Sequence, residues 1–514
     1  MEDLSIRIIV LSLLSLFFYL GTKRTHSNFS LPITFSILAG FILRILFIDF
    51  PYDYHHDERW KVQAVSRMIE SGSLNPKYFL HPSLLLYLTY FSNFLVGDIQ
   101  LSGRLVSAAA GTLTIPVLYF GSRRIVGNSV AQVAAFLFAV SPIAITCSRY
   151  LKEDSLLTLF TTATFFLVIR SSRLSAITAG LAFGTKYTGL LCIALLAFTR
   201  QPIFIKLFSF IAAIIVFIFT TPYSILDFPS FYDGLMYEKR HAIIGNTVPI
   251  SIYSQLGLFH FFRGILPSYL FFGALLLPLG FGVLKQHWKW IILGLLFFYL
   301  PAEIVQSKIE PQPERYILPA IPILSILAAG GVLSFRFKHI FLALLSIPGI
   351  LGTMELASDS RVRMLKFMEA NIPKETKILI DNRFNSPELP GFTNVKYMSV
   401  RPLVRGFREE FHPENLRKNG FEYALVSNFT YRCLLFCKEA PELARNGVIR
   451  LFRRLPLIHQ ESAKYVSFGF HSPTVSLLKV TPEDELQSSY KFGLNPFWII
   501  PEPFDRLSFL ESKE

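Results

Sequence analysis

The first 356 residues alternate long apolar runs with short polar loops; the remainder of the chain does not. Runs long enough to cross or nearly cross a bilayer fall near 5–21, 31–49, 102–120, 128–146, 155–169, 175–185, 187–199, 204–220, 261–284, 290–304, 316–333 and 340–356, about twelve in all. Lys23/Arg24, Arg123/Arg124, Arg170/Arg173, Arg200/Lys206, Lys285/Lys289 and Arg336/Lys338 sit at alternate ends of successive runs. One topology puts all six groups in the cytosol. It leaves 50–101, 147–154, 221–260, 305–315 and everything after about 356 on the far side. The apolar stretch 82–96 is short, and counting it as a span would move Arg123 and Arg124 outside, so it predicts an interfacial helix. The run Ser5–Leu20 has the length of a signal peptide. It begins after Glu2 and Asp3 and lacks a small-residue cleavage site, so it predicts a retained helix.

After about residue 356 charges become frequent and short strand-like runs appear at 377–380, 423–426 and 474–480, with helical stretches at 361–370 and 413–418. The expected fold is mainly α: a polytopic membrane helical bundle, residues 1–356 with the far-side loop 50–101. A non-cytoplasmic α/β domain of 357–514 follows it, large enough for its own core. The last thirty residues, rich in proline and aromatics, are expected to pack on a surface.

Composition agrees. The chain is 52% hydrophobic and 17% charged, which excludes an ordinary soluble enzyme. The net charge of +14 belongs to short loops, and no basic run interleaved with aromatics suggests nucleic acid. Four cysteines are too few for a disulfide framework. Cys433 and Cys437 are placed on the far side, as a pair or as two thiols on one helix face; Cys147 and Cys192 read as small membrane-helix residues. Asn428-Phe429-Thr430 is a far-side glycosylation triplet of a kind that arises often by chance.

Ionisable residues beside a bilayer are costly and mark candidate sites. The densest far-side cluster is His55-His56-Asp57-Glu58-Arg59. One carboxylate of the Asp57–Glu58 pair can face a pocket while the other binds a metal or a base. The structural alternative is an acidic first turn capping a helix over 59–71. The short loop Arg149-Tyr150-Leu151-Lys152-Glu153-Asp154 places Asp154 ahead of an apolar helix, where a plain N-cap is the alternative. Lys186 interrupts two apolar runs as a snorkelling lysine or a phosphate partner. Lys308 through Arg315 offers a point charge and a planar fork ahead of Tyr316, or a solvated loop. His81, before Pro82, is more often a structural hydrogen bonder than a ligand. Histidines and carboxylates around Glu58 and His56 offer donors to a divalent metal ion, without diagnostic spacing. Together these residues describe an outer-interface pocket of carboxylates and cations. It suits a lipid-phosphate leaving group, a hydroxyl acceptor and a one-step inverting displacement.

The same residues resemble the GT-C superfamily of polyprenyl-phosphate-dependent glycosyltransferases, in its protein O-mannosyltransferase and lipid A aminoarabinose transferase branch. The resemblance rests on Asp57-Glu58 leading to Met68-Ile69-Glu70-Ser71-Gly72, on His81-Pro82-Ser83-Leu84, and on Gly97 and Arg104. Arg149 with Asp154, Lys186, and Arg315-Tyr316 with Pro319 complete it. It covers roughly 31–335. It implies Asp57 as general base or acceptor-orienting residue, and Glu58 and Asp154 as support for substrate or metal. It makes Lys186, Lys308 and Arg315 phosphate partners, beside the substrate-binding candidates His81, Arg149, Lys152 and Tyr316. Two positions depart from the family pattern: Ser83 stands for a second proline, and Leu80 for an acidic residue that helps bind metal in some relatives.

The expected activity is transfer of a sugar from an undecaprenyl or dolichyl phosphate donor to a hydroxyl on a lipid, glycan or protein. It would take place at the far face of a prokaryotic plasma (inner) membrane or an ER membrane, among membrane lipids and without nucleic acid. The competing expectations are a transporter or flippase for lipid-linked sugars and a non-catalytic binder of them. The absence of a sequence repeat and the one-sided gathering of charge count against transport.

Overall fold

The computed structural model describes residues 31–51, 57–244, 270–305, 313–381, 386–398, 411–428, 442–465 and 472–485. The expected helix 5–21, His55 and His56, Lys308, Cys433 and Cys437, most of the last thirty residues and the last two residues of the glycosylation triplet lie outside them. Asn428 itself is buried, and its side-chain oxygen accepts from the Thr474 amide at 3.1 Å.

The described chain is mainly helical with a C-terminal sheet. Its main helices, which except for the polar α2 and α9 follow apolar stretches, are α1 Ile33–Ile45, α2 Asp57–Ser71, α3 Leu84–Val96, α4 Ile99–Val126, α5 Asn128–Val140, α6 Asp154–Ile169, α7 Leu174–Thr185, α8 Ile203–Thr220, α9 Phe228–Ile244, α10 Leu270–Val283, α11 Ile321–Leu333 and α12 Lys338–Leu356. Among the described residues four helical stretches are long and apolar enough to cross a membrane: Ile99–Val126, Ile203–Thr220, Arg315–Leu333 and Lys338–Asn371. The others are shorter.

α4 is the spine. Asp98 caps it by accepting from the Leu101 amide at 2.7 Å. Small residues at Gly103, Ser107, Ala110, Gly111 and Thr114 are buried in it, which lets α1, α5 and α6 approach closely. α11 is buried along its whole length, between α5 and α10.

The two runs at 175–185 and 187–199 form a hairpin. Lys186 is extended between α7 and the helical stretch Tyr187–Phe198. The far ends of the two legs are joined, because Ser171 accepts from the Arg200 amide at 2.9 Å and from the Gln201 side chain at 2.6 Å. Each leg of about twelve residues rises only about 18 Å, short of the roughly 30 Å of a hydrocarbon core. Close approach at the tip needs glycine: a Cβ on Gly189 would sit 2.1 Å from the Ala182 carbonyl oxygen. Gly189→Ala is expected to destabilise the protein by about 1–3 kcal/mol, read as a lower thermal midpoint of the purified chain in detergent.

C-terminal to α12, helix α13 (Ser360–Asn371) leads into a five-stranded sheet: β1 Ile378–Ile380, β2 Val395–Tyr397, β3 Tyr423–Ser427, β4 Leu457–Glu461 and β5 Val475–Lys479, in the order β2-β1-β3-β5-β4. β1 runs parallel to β2 and β3; β5 runs antiparallel to β3 and β4. Alternation along β1 assigns the faces. Ile378 and Ile380 pack with Met364 and Met368 of α13. Leu379 packs with Leu451 and Phe452 of α14 (Glu442–Arg454). Helices therefore cover both faces, which accounts for the short apolar strands. β2, β4 and α14 are elements the sequence reading did not name. Buried Glu355 at the end of α12 ties the two parts together, accepting from Lys464, Tyr465 and Ser472.

Candidate functional site

Helix α2 begins at Asp57, so the acidic pair does occupy a first turn favoured by the helix dipole. The two carboxylates then part company. Glu58 is fully buried and meets Arg104 of α4, 46 residues away, through two bonds of 3.2 and 3.0 Å. It also accepts from the Leu151 amide at 2.7 Å. Asp57 keeps some exposure and pairs with Lys152.

The loop before α6 explains that pairing. Its last residues, Lys152 and Glu153, and the first residue of α6, Asp154, carry three successive buried charges, the first two aimed at α2 and the third at Lys186 and Arg315. Lys152 meets Asp57 of α2. Glu153 Oε1 lies 3.2 Å from Lys61 Nζ, one turn along the same helix. Asp154 Oδ1 accepts from Lys186 at the hairpin tip at 2.7 Å, and Asp154 Oδ2 lies 3.7 Å from Arg315 Nε. Tyr316 lies beneath both cations, with its ring centre 4.8 Å from Lys186 Nζ and 5.1 Å from the Arg315 guanidinium carbon. The structure thus brings Asp57, Lys152, Asp154, Lys186, Arg315 and Tyr316 into one network.

Burial works against the Lys152 ammonium, but Asp57, with Glu153 and Asp154, outweighs it, so its pKa is raised and it stays charged. Burial lowers Lys61, and Glu153 offsets only part of that. Burial, joined by the ammonium groups of Lys152, Lys61 and Lys186, holds His81 well below the ordinary histidine range. A neutral His81 makes no ion pair with Glu153, 3.7 Å away. The unfolded chain takes up a proton near pH 6.5 where folded His81 does not, so acidification favours the unfolded state. Stability is expected to fall by as much as about 1.4 kcal/mol per pH unit below 6.5, and His81→Gln to remove that component. Thermal unfolding of both proteins at pH 7.5 and 5.5 checks it.

Arg149 points elsewhere. It is buried against the Leu43 carbonyl of α1 and the Thr353 hydroxyl of α12, at 3.2 Å from the latter. Among the described residues no three His, Cys, Asp or Glu side chains converge on a metal position, and Glu58 is engaged by Arg104; no chemistry is routed through a metal here.

Three members of the network escaped the sequence reading as individual candidates. Lys61 stands one turn from Asp57 but outside the charged run 55–59. Glu153 was hidden between two residues that were singled out. Glu238 lies in α9, where nothing local marked it. Phe231 packs on Phe79 with ring centres 6.0 Å apart, and a Cβ on Gly234 would meet the Phe79 carbonyl oxygen at 2.5 Å. Glu238, one turn further along, shares that face. Burial raises its carboxyl, Lys152 and Lys186 oppose the shift, and Asp57 and Glu153 add to it.

Residues 80–225 match the family model described as dolichyl-phosphate-mannose-protein mannosyltransferase. No curated protein matches the chain. Among solved structures it is similar to ArnT from Cupriavidus metallidurans bound to undecaprenyl phosphate, at 16% identity over 87% of this chain and 97% of that one, with a TM-score of 0.45. It is similar to the oligosaccharyltransferase AglB from Archaeoglobus fulgidus, solved with an inhibitory peptide and a dolichol-phosphate, at 12% identity over 84% and 72%, TM-score 0.48. It is also similar to the Pmt1-Pmt2 protein O-mannosyltransferase complex of S. cerevisiae bound to the sugar donor, at 18% over 41% and 35%, TM-score 0.30.

Proposed function

We propose that the chain is an integral membrane glycosyltransferase of GT-C type. It moves a sugar from a polyprenyl phosphate, undecaprenyl or dolichyl, to a hydroxyl of a lipid, glycan or protein on the non-cytoplasmic face, with inversion at the anomeric carbon. One observation carries this reading. The segment Lys152-Glu153-Asp154 joins a partly exposed carboxylate, Asp57, to a pair of cations, Lys186 and Arg315. The family match over 80–225 supports it and includes His81, Lys152, Asp154 and Lys186; Asp57 and Arg315 lie beyond its ends.

In this mechanism Asp57 takes the proton of the acceptor hydroxyl as the hydroxyl oxygen bonds to the anomeric carbon. The bond from that carbon to the phosphate oxygen breaks on the opposite face, and the phosphate leaves with the electron pair. Lys186 and Arg315, held side by side by Asp154 and backed by Tyr316, stabilise its growing charge. Lys152 keeps Asp57 ionised before the transfer. The polyprenyl chain lies in a groove between helices, and the α/β region of 357–514 takes part in acceptor choice on the same face.

The test is a panel of undecaprenyl- and dolichyl-phosphate-linked hexoses and pentoses given to the purified full chain in lipid nanodiscs, with membrane lipids and proteins as acceptors. Release of polyprenyl phosphate together with an inverted glycoside is expected. No turnover with any donor, or a product of retained configuration, overturns the mechanism. Passage of a lipid-linked sugar across a vesicle without a new glycosidic bond puts transport in its place.

A further inference from the structure

Two oppositely directed ion pairs link the first two turns of α2 to the segment before α6. Asp57 faces Lys152, and Lys61 faces Glu153. Asp57 and Lys61 are four residues apart and so lie on one side of the helix, while Lys152 and Glu153 are adjacent. The four side chains form a small square of alternating charge. Lys61 and Glu153 are its buried edge, at 0% and 1% exposure. The ring of Tyr78 closes over the Lys61 ammonium, 5.9 Å from its centre. On the other edge Lys152 is equally buried, and Asp57 alone keeps some exposure. Glu58 secures the helix from a different side, through Arg104 and the Leu151 amide.

We infer that Lys61 is a positioning residue for the proposed reaction: it occupies Glu153, and thereby leaves the Lys152 ammonium to Asp57. The inference rests on the reading of Asp57 as the base. Its physical reason is competition. Lys152 stands next to Glu153 in the chain, and both are out of water. A Glu153 carboxylate stripped of Lys61 is a buried charge in need of a partner. Lys152 is its cationic neighbour in the chain, and a Lys152 drawn to Glu153 releases Asp57 from the orientation the transfer needs. Donor binding rests on Lys186, Arg315 and Tyr316, on the far side of Asp154, so this rearrangement leaves it largely alone.

The experiment compares Lys61→Met, Lys61→Arg, Glu153→Gln and the double variant Lys61→Met/Glu153→Gln with the wild-type full chain, using the donor that the wild type turns over best. Turnover number and donor KM are measured on monodisperse protein, so that unfolded material does not count. Lys61→Met is expected to lose about 100-fold in kcat, the size of a disturbed acid–base group, with donor KM within threefold. Lys61→Arg keeps the charge and is expected to retain most of kcat. The double variant removes both the free carboxylate and its cation, and is expected to recover kcat to within tenfold. Should Lys61→Met fail to fold, Glu153→Gln and the double variant decide: a double variant with the kcat of Glu153→Gln supports the inference, and one about 100-fold below it overturns it. A wild-type kcat in Lys61→Met, equal losses in kcat and donor affinity, or a double variant no better than additive overturns it. A wild type inactive on every donor removes the proposed function instead, which is a separate outcome.

Discussion

Asp57→Asn is expected to lower sugar transfer by about 10²–10⁴-fold, the usual contribution of a positioned general base. The substitution keeps the size and one oxygen of the side chain and removes its ability to take a proton. Lys186 and Arg315 are held by Asp154, so donor KM is expected to stay within about threefold, as for loss of an interaction made only in the transition state. The comparison is kcat and donor KM for wild type and variant, each purified as a monodisperse full chain. Unchanged turnover would remove Asp57 from the reaction. A large rise in donor KM with little change in kcat would make it a binding residue instead.

The second large effect concerns stability. Arg104 is 2% exposed and donates to both oxygens of Glu58, to the Ile48 carbonyl at 3.2 Å and to the Phe50 carbonyl at 2.8 Å. It thereby ties the end of the segment after α1, the start of α2 and the spine helix α4 to one guanidinium. Arg104→Met leaves the Glu58 carboxylate buried without its cation, and removing one partner of a buried pair costs about 3–5 kcal/mol. Much of that cost belongs to the abandoned charge. Adding Glu58→Gln to Arg104→Met is therefore expected to return part of the loss, so that the two changes are far from additive. Thermal unfolding in detergent checks this. A midpoint for Arg104→Met close to wild type would mean that Glu58 finds other support.

Much of the architecture was legible from hydrophobic pattern. Most of the described helices coincide with apolar runs, the polar Asp57–Ser71 and Phe228–Ile244 being exceptions, and β1, β3 and β5 coincide with the three strand-like runs. Two features were not. The hairpin of 174–198 reads in sequence as two separate runs, because nothing in either leg states that Ser171 will meet Arg200 and Gln201. The strands β2 and β4 are short and partly exposed, so they carry little periodicity.

The candidate site divides in the same way. Asp57, Asp154, Lys186 and Arg315 stood out because each is a charge at the border of an apolar run. Glu58 stood out equally, yet its partner is the buried Arg104. Arg149 is turned to Leu43 and Thr353. Glu153 was masked by the candidates on either side of it, Lys61 lay just beyond the charged run 55–59, and Glu238 had nothing local to mark it.

From the amino-acid order alone came the apolar helices, their alternating basic loops, the α/β character of the C-terminal part and the residues from which a site could be built. Those are local properties, since burial in an apolar phase is decided by side chains a few positions apart. Only the folded chain decided which charges meet. The pairs that matter join residues 32 to 161 positions apart, as in Lys186–Asp154 and Arg315–Asp154. A charge destined for water and one destined for a buried pair look alike in any short window. What separates them is distance and desolvation, and both are set by packing.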